Sequence, residues 1–366
     1  MPKSITFILP RFLTDQIGGA ELQVYYLAKE LINRGWDVSY IRETSTSDRS
    51  VSLFEGIKLY NLPLRKRHYL QFLNYFHLKE IMRKIRSDIW YCRVSKYYLP
   101  SVIRHASSLG GKIVWAFSSD GNLSFKPHST HPFGRIMESL EHQFFMRGVN
   151  HADLILAQHE GQSKFLKDNL GIDSQILTNG HPLPIFRSRL RENSVVWVSN
   201  IKPVKQPEVF LEICRKCLDK PIKFVMVGDI QDVNYRDLLA QETAILTNLK
   251  YLGKQPVDFV NEVICKSKVL VNTSEYEGFP NTFIQAWMRG TPVVSLNVDP
   301  GGVIEKERLG KVSFTEDQML EDIISFIANE SAWFETSNRV RRFSTQYFNI
   351  DRHTQNFIQL LEDRLV

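Results

Sequence analysis

The chain has 366 residues, a length that suits two or three domains, and its 43% hydrophobic and 23% charged residues exclude a disordered chain. A net charge of +6 suits anionic partners of any kind; four cysteines in so long a chain exclude a disulfide-stapled secreted scaffold and point to a reducing, cytoplasmic setting. No run approaches the ~18 consecutive apolar residues of a membrane-spanning helix, and the first apolar run, closed by Arg11 and Asp15, is too short for a signal peptide.

Ile5 to Leu9 reads as a buried strand, Ala20 to Asn33 as a helix with Leu22, Tyr26, Leu27, Leu31 and Ile32 on its apolar face, and Asp37 to Arg42 as a second strand. Between Asn61 and Arg104 the basic residues Arg65, Lys66, Arg67, Lys79, Arg83, Lys84, Arg86, Arg93, Lys96 and Arg104 meet only Glu80 and Asp88. Tyr69, Leu70, Phe72, Leu73, Phe76, Leu78, Ile81, Met82 and Ile85 recur among them at roughly helical spacing, the pattern of a basic amphipathic helix. Two readings stay open: a surface helix docked on its own domain, or a face that attracts an anionic membrane or a phosphate-bearing acceptor. No nucleic-acid-binding motif accompanies the charge, so no nucleic acid partner is expected.

Further strands are predicted at Ile89 to Arg93, Ile113 to Phe117, Leu154 to Gln158 and Ile176 to Leu177, after which Thr178-Asn-Gly-His-Pro-Leu-Pro184 reads as a hinge. A second alternation follows: a strand at Val195 to Val198, a helix from about Pro207 to Leu218, then strands at Phe224 to Val227, Val269 to Asn272 and Val293 to Leu296. Ile350 to Leu365 supplies a closing helix. Strands alternating with helices build parallel sheets covered on both faces, so the expectation is two doubly wound α/β domains in tandem.

In such sheets ligands bind beyond the carboxyl ends of the strands, where helix N-termini attract phosphates. After the first strand, Gly18 and Gly19 leave room for a ligand to approach the backbone, but the segment lacks the GxGxxG spacing of a dinucleotide fold. The most informative segment runs from Asn272 to Val294: a strand end, a polar loop with Glu277, Gly278, Phe279 and Pro280, a helix opening near Asn281 and Thr282, and Gly290 ending it. Gln285 lies about two turns after Glu277, so loop and helix can address different parts of one extended ligand.

Gly18-Gly19-Ala20-Glu21, Asn200-Ile-Lys-Pro-Val-Lys205 and Glu277-Gly-Phe-Pro-Asn through Gly290-Thr-Pro-Val-Val294 together resemble the retaining glycosyltransferases of family 4, or group 1, with the GT-B fold. The resemblance implies two Rossmann-like domains facing across a cleft: residues 1–180 with helix 350–366 on the acceptor side, and 181–349 holding a nucleotide-diphosphate sugar. It implies that Glu277 contacts donor-sugar hydroxyls with the loop amides of Gly278 and Phe279. Gln285 stands where the family has a ribose-binding Glu, and Lys205 and Asn200 stand where it has a Lys and an Arg on the diphosphate. In Phe117-Ser-Ser-Asp-Gly121, Ser118 or Ser119 replaces a family His and Asp120 matches an Asp beside the reacting centre. The loops after Val227 and Leu252 offer Gly228, Asp229 and Lys254 as further donor contacts, without a code that selects the base. The implied activity is transfer of a sugar to a glycan or lipid-linked glycan, by a cytoplasmic protein at the inner face of the membrane or free of it.

Neither a metal nor a cofactor is expected. No Asp-x-Asp triplet is present, His128 and His131 belong to a dispersed set, and Cys214-Arg-Lys-Cys217 reads as two half-buried helical thiols. The departures at Asn200, Gln285 and Ser118 keep two alternatives in view: a non-catalytic GT-B binding module and a nucleotide-sugar epimerase.

Overall fold

The computed structural model describes residues 3–15, 18–44, 50–63, 74–93, 98–117, 132–184 and 191–365, which divide into two units, Met1–Pro182 with Ile350–Val366 and Leu183–Asn349. The first unit runs β1 (Ser4–Ile8), α1 (Gly19–Asn33), β2 (Asp37–Thr44), β3 (Ser52–Phe54), β4 (Ile57–Pro63), α2 (Asn74–Ile85), β5 (Ile89–Arg93), α3 (Tyr98–Ser108), β6 (Lys112–Ala116), α4 (Pro132–Val149), β7 (Leu154–Ala157), α5 (Glu160–Leu170) and β8 (Gln175–Ile176). Its sheet has the order β3-β4-β2-β1-β5-β6-β7-β8, parallel except for the β3–β4 hairpin. The direction of strand order reverses between β1 and β5, so the carboxyl ends of those strands mark the binding crevice of the sheet.

Successive strand side chains point to opposite faces, and here both faces are apolar. Ile5 and Phe7 join Val38, Tyr40, Val114 and Leu154 in one layer, and Ile8 joins Ile41, Trp90, Cys92 and Trp115 in the other. The first layer is closed by α13 (Ile350–Leu365), whose Phe357 and Leu361 are fully buried against it. The N–H of Ile350 donates to the carbonyl of His181 at 2.9 Å, so the chain leaves this unit and re-enters it at one place.

The second unit runs β9 (Glu192–Val198), a 3-10 turn Pro203–Lys205, α6 (Pro207–Lys216), β10 (Lys223–Val227), α7 (Asn234–Ile245), β11 (Leu249–Tyr251), α8 (Val257–Lys266), β12 (Ser267–Asn272), α9 (Asn281–Met288), β13 (Val293–Ser295), α10 (Val303–Lys306), β14 (Gly310–Val312), α11 (Glu316–Ala328) and α12 (Glu330–Tyr347), in the chain order given, with α13 following. Its sheet is parallel with the order β11-β10-β9-β12-β13-β14. Numbered within the unit this is 3-2-1-4-5-6, the dinucleotide-fold order, and it places the switch point between β9 and β12. Val195 and Trp197 enter one apolar layer with Phe210, Phe224 and Val271; Val196 enters the other with Leu270, Phe283 and Trp287.

Four strands, β3, β4, β11 and β14, were not anticipated by periodicity; β4 has seven residues, and β3, β11 and β14 have three each, too few to show alternation. Cys214 and Cys217 correct the expectation of half-buried thiols, because both are completely buried in the layer beneath α6. Of the basic amphipathic segment, α2 forms with Leu78 and Met82 buried, while Arg65, Lys66, Arg67, Tyr69, Leu70, Phe72, Leu73 and Lys96 lie outside the described residues. Among the described residues no helix is long and apolar enough to cross a membrane.

Candidate active site

The switch point of the second unit brings together the loops after β9 and β12. Residues 199–206 leave β9 in extended form and tighten into the 3-10 turn, which ends with Gln206 in the left-handed region before Pro207 opens α6. The loop is fixed by its backbone. Ile201, completely buried, forms a parallel bridge with Ile230, and the N–H of Glu275 donates to the carbonyl of Val204 at 3.0 Å. Thr273 Oγ1 donates to the carbonyl of Lys205 at 2.6 Å and accepts from Trp197 Nε1 at 2.9 Å, so a buried indole anchors the residue that carries the lysine.

Lys205 Nζ is ion-paired with Glu277 Oε1, and Ser274 Oγ donates to the same oxygen at 2.9 Å. The two side chains are 13% and 20% exposed, so their charges are largely desolvated and each depends on the other. Ser274 is held by Asn272, whose Oδ1 accepts from the Ser274 N–H at 3.3 Å and whose Nδ2 donates to Ser274 Oγ at 3.2 Å. The result is a lysine and a carboxylate held at the carboxyl ends of the two central strands.

Glu277 is followed by Gly278, Phe279 and Pro280 and then by α9. A helix's first amides have no acceptor within it, so Asn281 and Thr282 stand at a partially positive end beside the ion pair. The helix itself is locked: Phe283, Ile284, Gln285, Ala286, Trp287 and Met288 are all buried, and Trp287 Nε1 donates to the carbonyl of Leu309 at 3.0 Å. Gly290 ends it at φ +73°, and an added Cβ would lie 2.7 Å from Ser337 Oγ. Phe279 is placed differently from a ligand-facing residue. Its ring is buried against Trp287 and Phe348, with centroids 6.4 and 5.3 Å away. Gln285 is 5% exposed on the same helix, and Gly228 packs tightly on the loop after β9: a Cβ there would lie 1.7 Å from the carbonyl oxygen of Ser199.

Periodicity did not single out Lys202. It is half-buried beside Lys205, and burial, then the Lys205 charge, pull its ammonium below the ordinary lysine value against the opposing pull of Glu277. The signal was present in the sequence as a second lysine one 3-10 turn before Lys205.

In the first unit, Gly18 caps α1 and Glu21 folds back over it, with Oε2 2.2 Å from where a Gly18 Cβ would sit. Gly18 is therefore small for the sake of Glu21, whose carboxyl burial raises above its ordinary value against Arg11 and Arg93. Gly19 begins the helix. Across the crevice, Arg93 at the end of β5 and Gln158 after β7 both donate to Asn179 Oδ1, at 3.2 and 3.0 Å, and Gly180 N–H donates to Gln23 Oε1 at 2.9 Å. Ser118, Ser119 and Asp120 lie outside the described residues.

Comparison with known families decides what this arrangement belongs to. Residues 17–182 match Glycosyltransferase Family 4 and residues 184–346 match Glycosyl transferases group 1. The chain belongs to the group 1 glycosyltransferases. This glycosyltransferase is 19% identical over 341 residues to the phosphatidylinositol N-acetylglucosaminyltransferase GPI3 subunit of Saccharomyces cerevisiae, a span of 86% of this chain and 72% of that protein. Its fold is GT-B. Sucrose-phosphate synthase from Thermosynechococcus elongatus matches with a TM-score of 0.77 at 15% identity, over 99% of this chain and 98% of the other. HepE from Anabaena, solved with UDP and glucose, matches at 0.75 and 15%, over 99% and 100%. TarM from S. aureus, solved with UDP, fondaparinux and alpha-GlcNAc-glycerol, matches at 0.78 and 12%, over 98% and 99%.

Proposed function

We propose that this glycosyltransferase retains anomeric configuration and moves a sugar from a nucleoside diphosphate to a hydroxyl of a growing glycan, free or lipid-linked. The observation that carries the reading is the Lys205–Glu277 pair at the switch point of the second unit, beside the N-terminus of α9. An arriving diphosphate competes with Glu277 for Lys205. The lysine turns to phosphate, which frees the carboxylate to accept hydrogen bonds from donor-sugar hydroxyls together with the Gly278 and Phe279 amides. Gln285 offers an amide to the ribose, and Asn200 and Gly228 lie along the phosphate-side loops.

In the transfer, the acceptor oxygen bonds to the anomeric carbon as the bond to the diphosphate oxygen breaks, and the acceptor proton passes to that leaving oxygen on the same face. The chain's part is alignment and charge: Lys205 and the helix N-terminus stabilise the leaving diphosphate, Gly18 and Gly19 are assigned to the donor, and Asp120, Ser118 and Ser119 to the acceptor side. Lysine charge meets the diphosphate in this scheme without a metal ion, so activity should survive EDTA. The complexes of HepE and TarM with UDP, and the glycan-related names of the relatives, support the substrate class.

The test is a thermal-shift screen against UDP, GDP, ADP and their sugar conjugates. A concentration-dependent rise with one nucleotide family is expected, since a ligand that binds only the folded state raises its midpoint; no rise with any would sink the donor reading. A sugar epimerised without acceptor would sink the transfer reading.

A second reading concerns location. The described part of the basic segment presents Lys79, Arg83, Lys84, Arg86 and Arg104, and Phe76 on α2 is 68% exposed. Burial first, and then Lys79, Arg104 and Arg83, push the neighbouring His105 below its ordinary value, a sign of a cationic field. We propose that this face rests peripherally on an anionic membrane.

A further inference from the structure

Building on the donor reading, we infer that Lys202 is a phosphate-binding residue of this glycosyltransferase and supplies the cation that position 200 lacks. Three observations converge on it. Ile201 points into the core and bridges Ile230, so its neighbours in the extended chain, Asn200 and Lys202, share the opposite side. Lys202 has φ −161° and ψ 161° and caps the 3-10 turn, and the N–H of Lys205 donates to its carbonyl at 2.9 Å. The charges of both Lys205 and Glu277 act on its ammonium, so these three charged groups lie close together at the end of β9.

The charge count at this place is unbalanced. Two lysines meet one carboxylate, Glu277 is committed to Lys205 and Ser274, and among the described residues no hydrogen bond or ion pair holds the Lys202 ammonium. A half-buried ammonium with no counter-ion carries a desolvation cost that a surface lysine avoids by turning into water. The burial and the like charge of Lys205 already make it easier to deprotonate than an ordinary lysine. An anion of two charges entering between Lys202, Lys205 and the α9 N-terminus removes that cost and lets Glu277 turn to other work. Asparagine at 200 offers hydrogen bonds without charge, so the second cation comes from two residues further along the same side of the chain.

The experiment is isothermal titration of the full chain with UDP, GDP, ADP and inorganic pyrophosphate, comparing wild type, Lys202→Met, Lys202→Arg and the double variant Asn200→Arg/Lys202→Met. Lys202→Met should bind the preferred diphosphate and pyrophosphate ~10- to 100-fold more weakly, with a shallower dependence on salt. Lys202→Arg, and the double variant that returns a cation to position 200, should come within a few-fold of wild type. Binding of the corresponding nucleoside, followed by ligand-observed NMR, should not change. Undiminished pyrophosphate and diphosphate binding in Lys202→Met overturns the role of Lys202 alone. An equal loss of nucleoside binding, or no recovery in the double variant, overturns it in favour of a purely structural lysine. Failure of the wild-type chain to bind any of the four overturns the donor reading and Lys202's role with it.

Discussion

Lys205 and Glu277 lie 72 residues apart in the chain and reach each other because β9 and β12 are neighbours in the sheet. Replacing one member leaves the other charged and largely desolvated. Lys205→Met and Glu277→Gln should each lower the stability of the second unit by about 1–3 kcal/mol and turnover by ~100-fold or more. Paired thermal melts and initial-rate assays check both. At this scale the sequence was informative about identity and less so about environment. Glu277 and Lys205 could be picked out because their spacing matched a family pattern, while Phe279, equally part of that pattern, has its ring in the core. Glu21 hides what Gly18 is for, since a carboxyl folding back onto the residue three positions before it leaves no trace in spacing.

Among the elements, the ends of α8 and α9 are joined by one side chain. Arg191 donates to the carbonyls of Ile264, at 3.3 Å, Ser267, at 3.1 Å, and Arg289, and to Thr291 Oγ1 at 2.9 Å, with Trp333 stacked 5.6 Å away. Burial pulls its guanidinium down to about 10, so it keeps its charge at neutral pH, facing helix C-termini whose dipoles favour a cation. Arg191→Met should cost about 2–4 kcal/mol and lower the melting temperature by roughly 5–10 °C, because carbonyls that it satisfied lose their donor.

On α13, His353 abuts Gly180; an added Cβ on that glycine would lie 2.7 Å from its side chain. One ring nitrogen is bonded to the Thr178 backbone and Nδ1 has no partner among the described residues, and burial drives the imidazole down to about 4. A histidine with its folded value below its ordinary ~6.5 binds its proton mainly when unfolded. Its contribution is therefore complete above about pH 6.5 and is lost as the pH falls toward 4, by on the order of 3 kcal/mol. His353→Gln should flatten that part of the urea-midpoint profile. The helix itself was legible from its apolar spacing; the buried imidazole was not, since nothing in the sequence placed the hinge against it.

Across the whole molecule, two parallel sheets follow from the alternation of apolar strands and helices, and each strand order puts a switch point where the glycine pair or the Lys205 loop begins. That much was readable because buried parallel strands are continuous apolar runs. The three-residue strands β3, β11 and β14 were not, since their pairing is decided by neighbours distant in sequence. The uneven charge of the first unit leads to a further expectation: the protein should sediment with vesicles of anionic lipid at low salt and be released at high salt. Replacing Arg83, Lys84 and Arg86 by Glu should abolish the binding while leaving transfer to a soluble acceptor intact.

The hydrogen bond from Ile350 to His181 also means that residues 183–349 form one uninterrupted insert whose points of departure and return touch. A gene in which a short glycine linker replaces that insert should therefore encode a soluble, self-standing protein of residues 1–182 and 350–366, its circular dichroism still showing mixed α/β content. The same junction is a natural splice point, at which one second unit could be exchanged for another without disturbing the sheet that receives it.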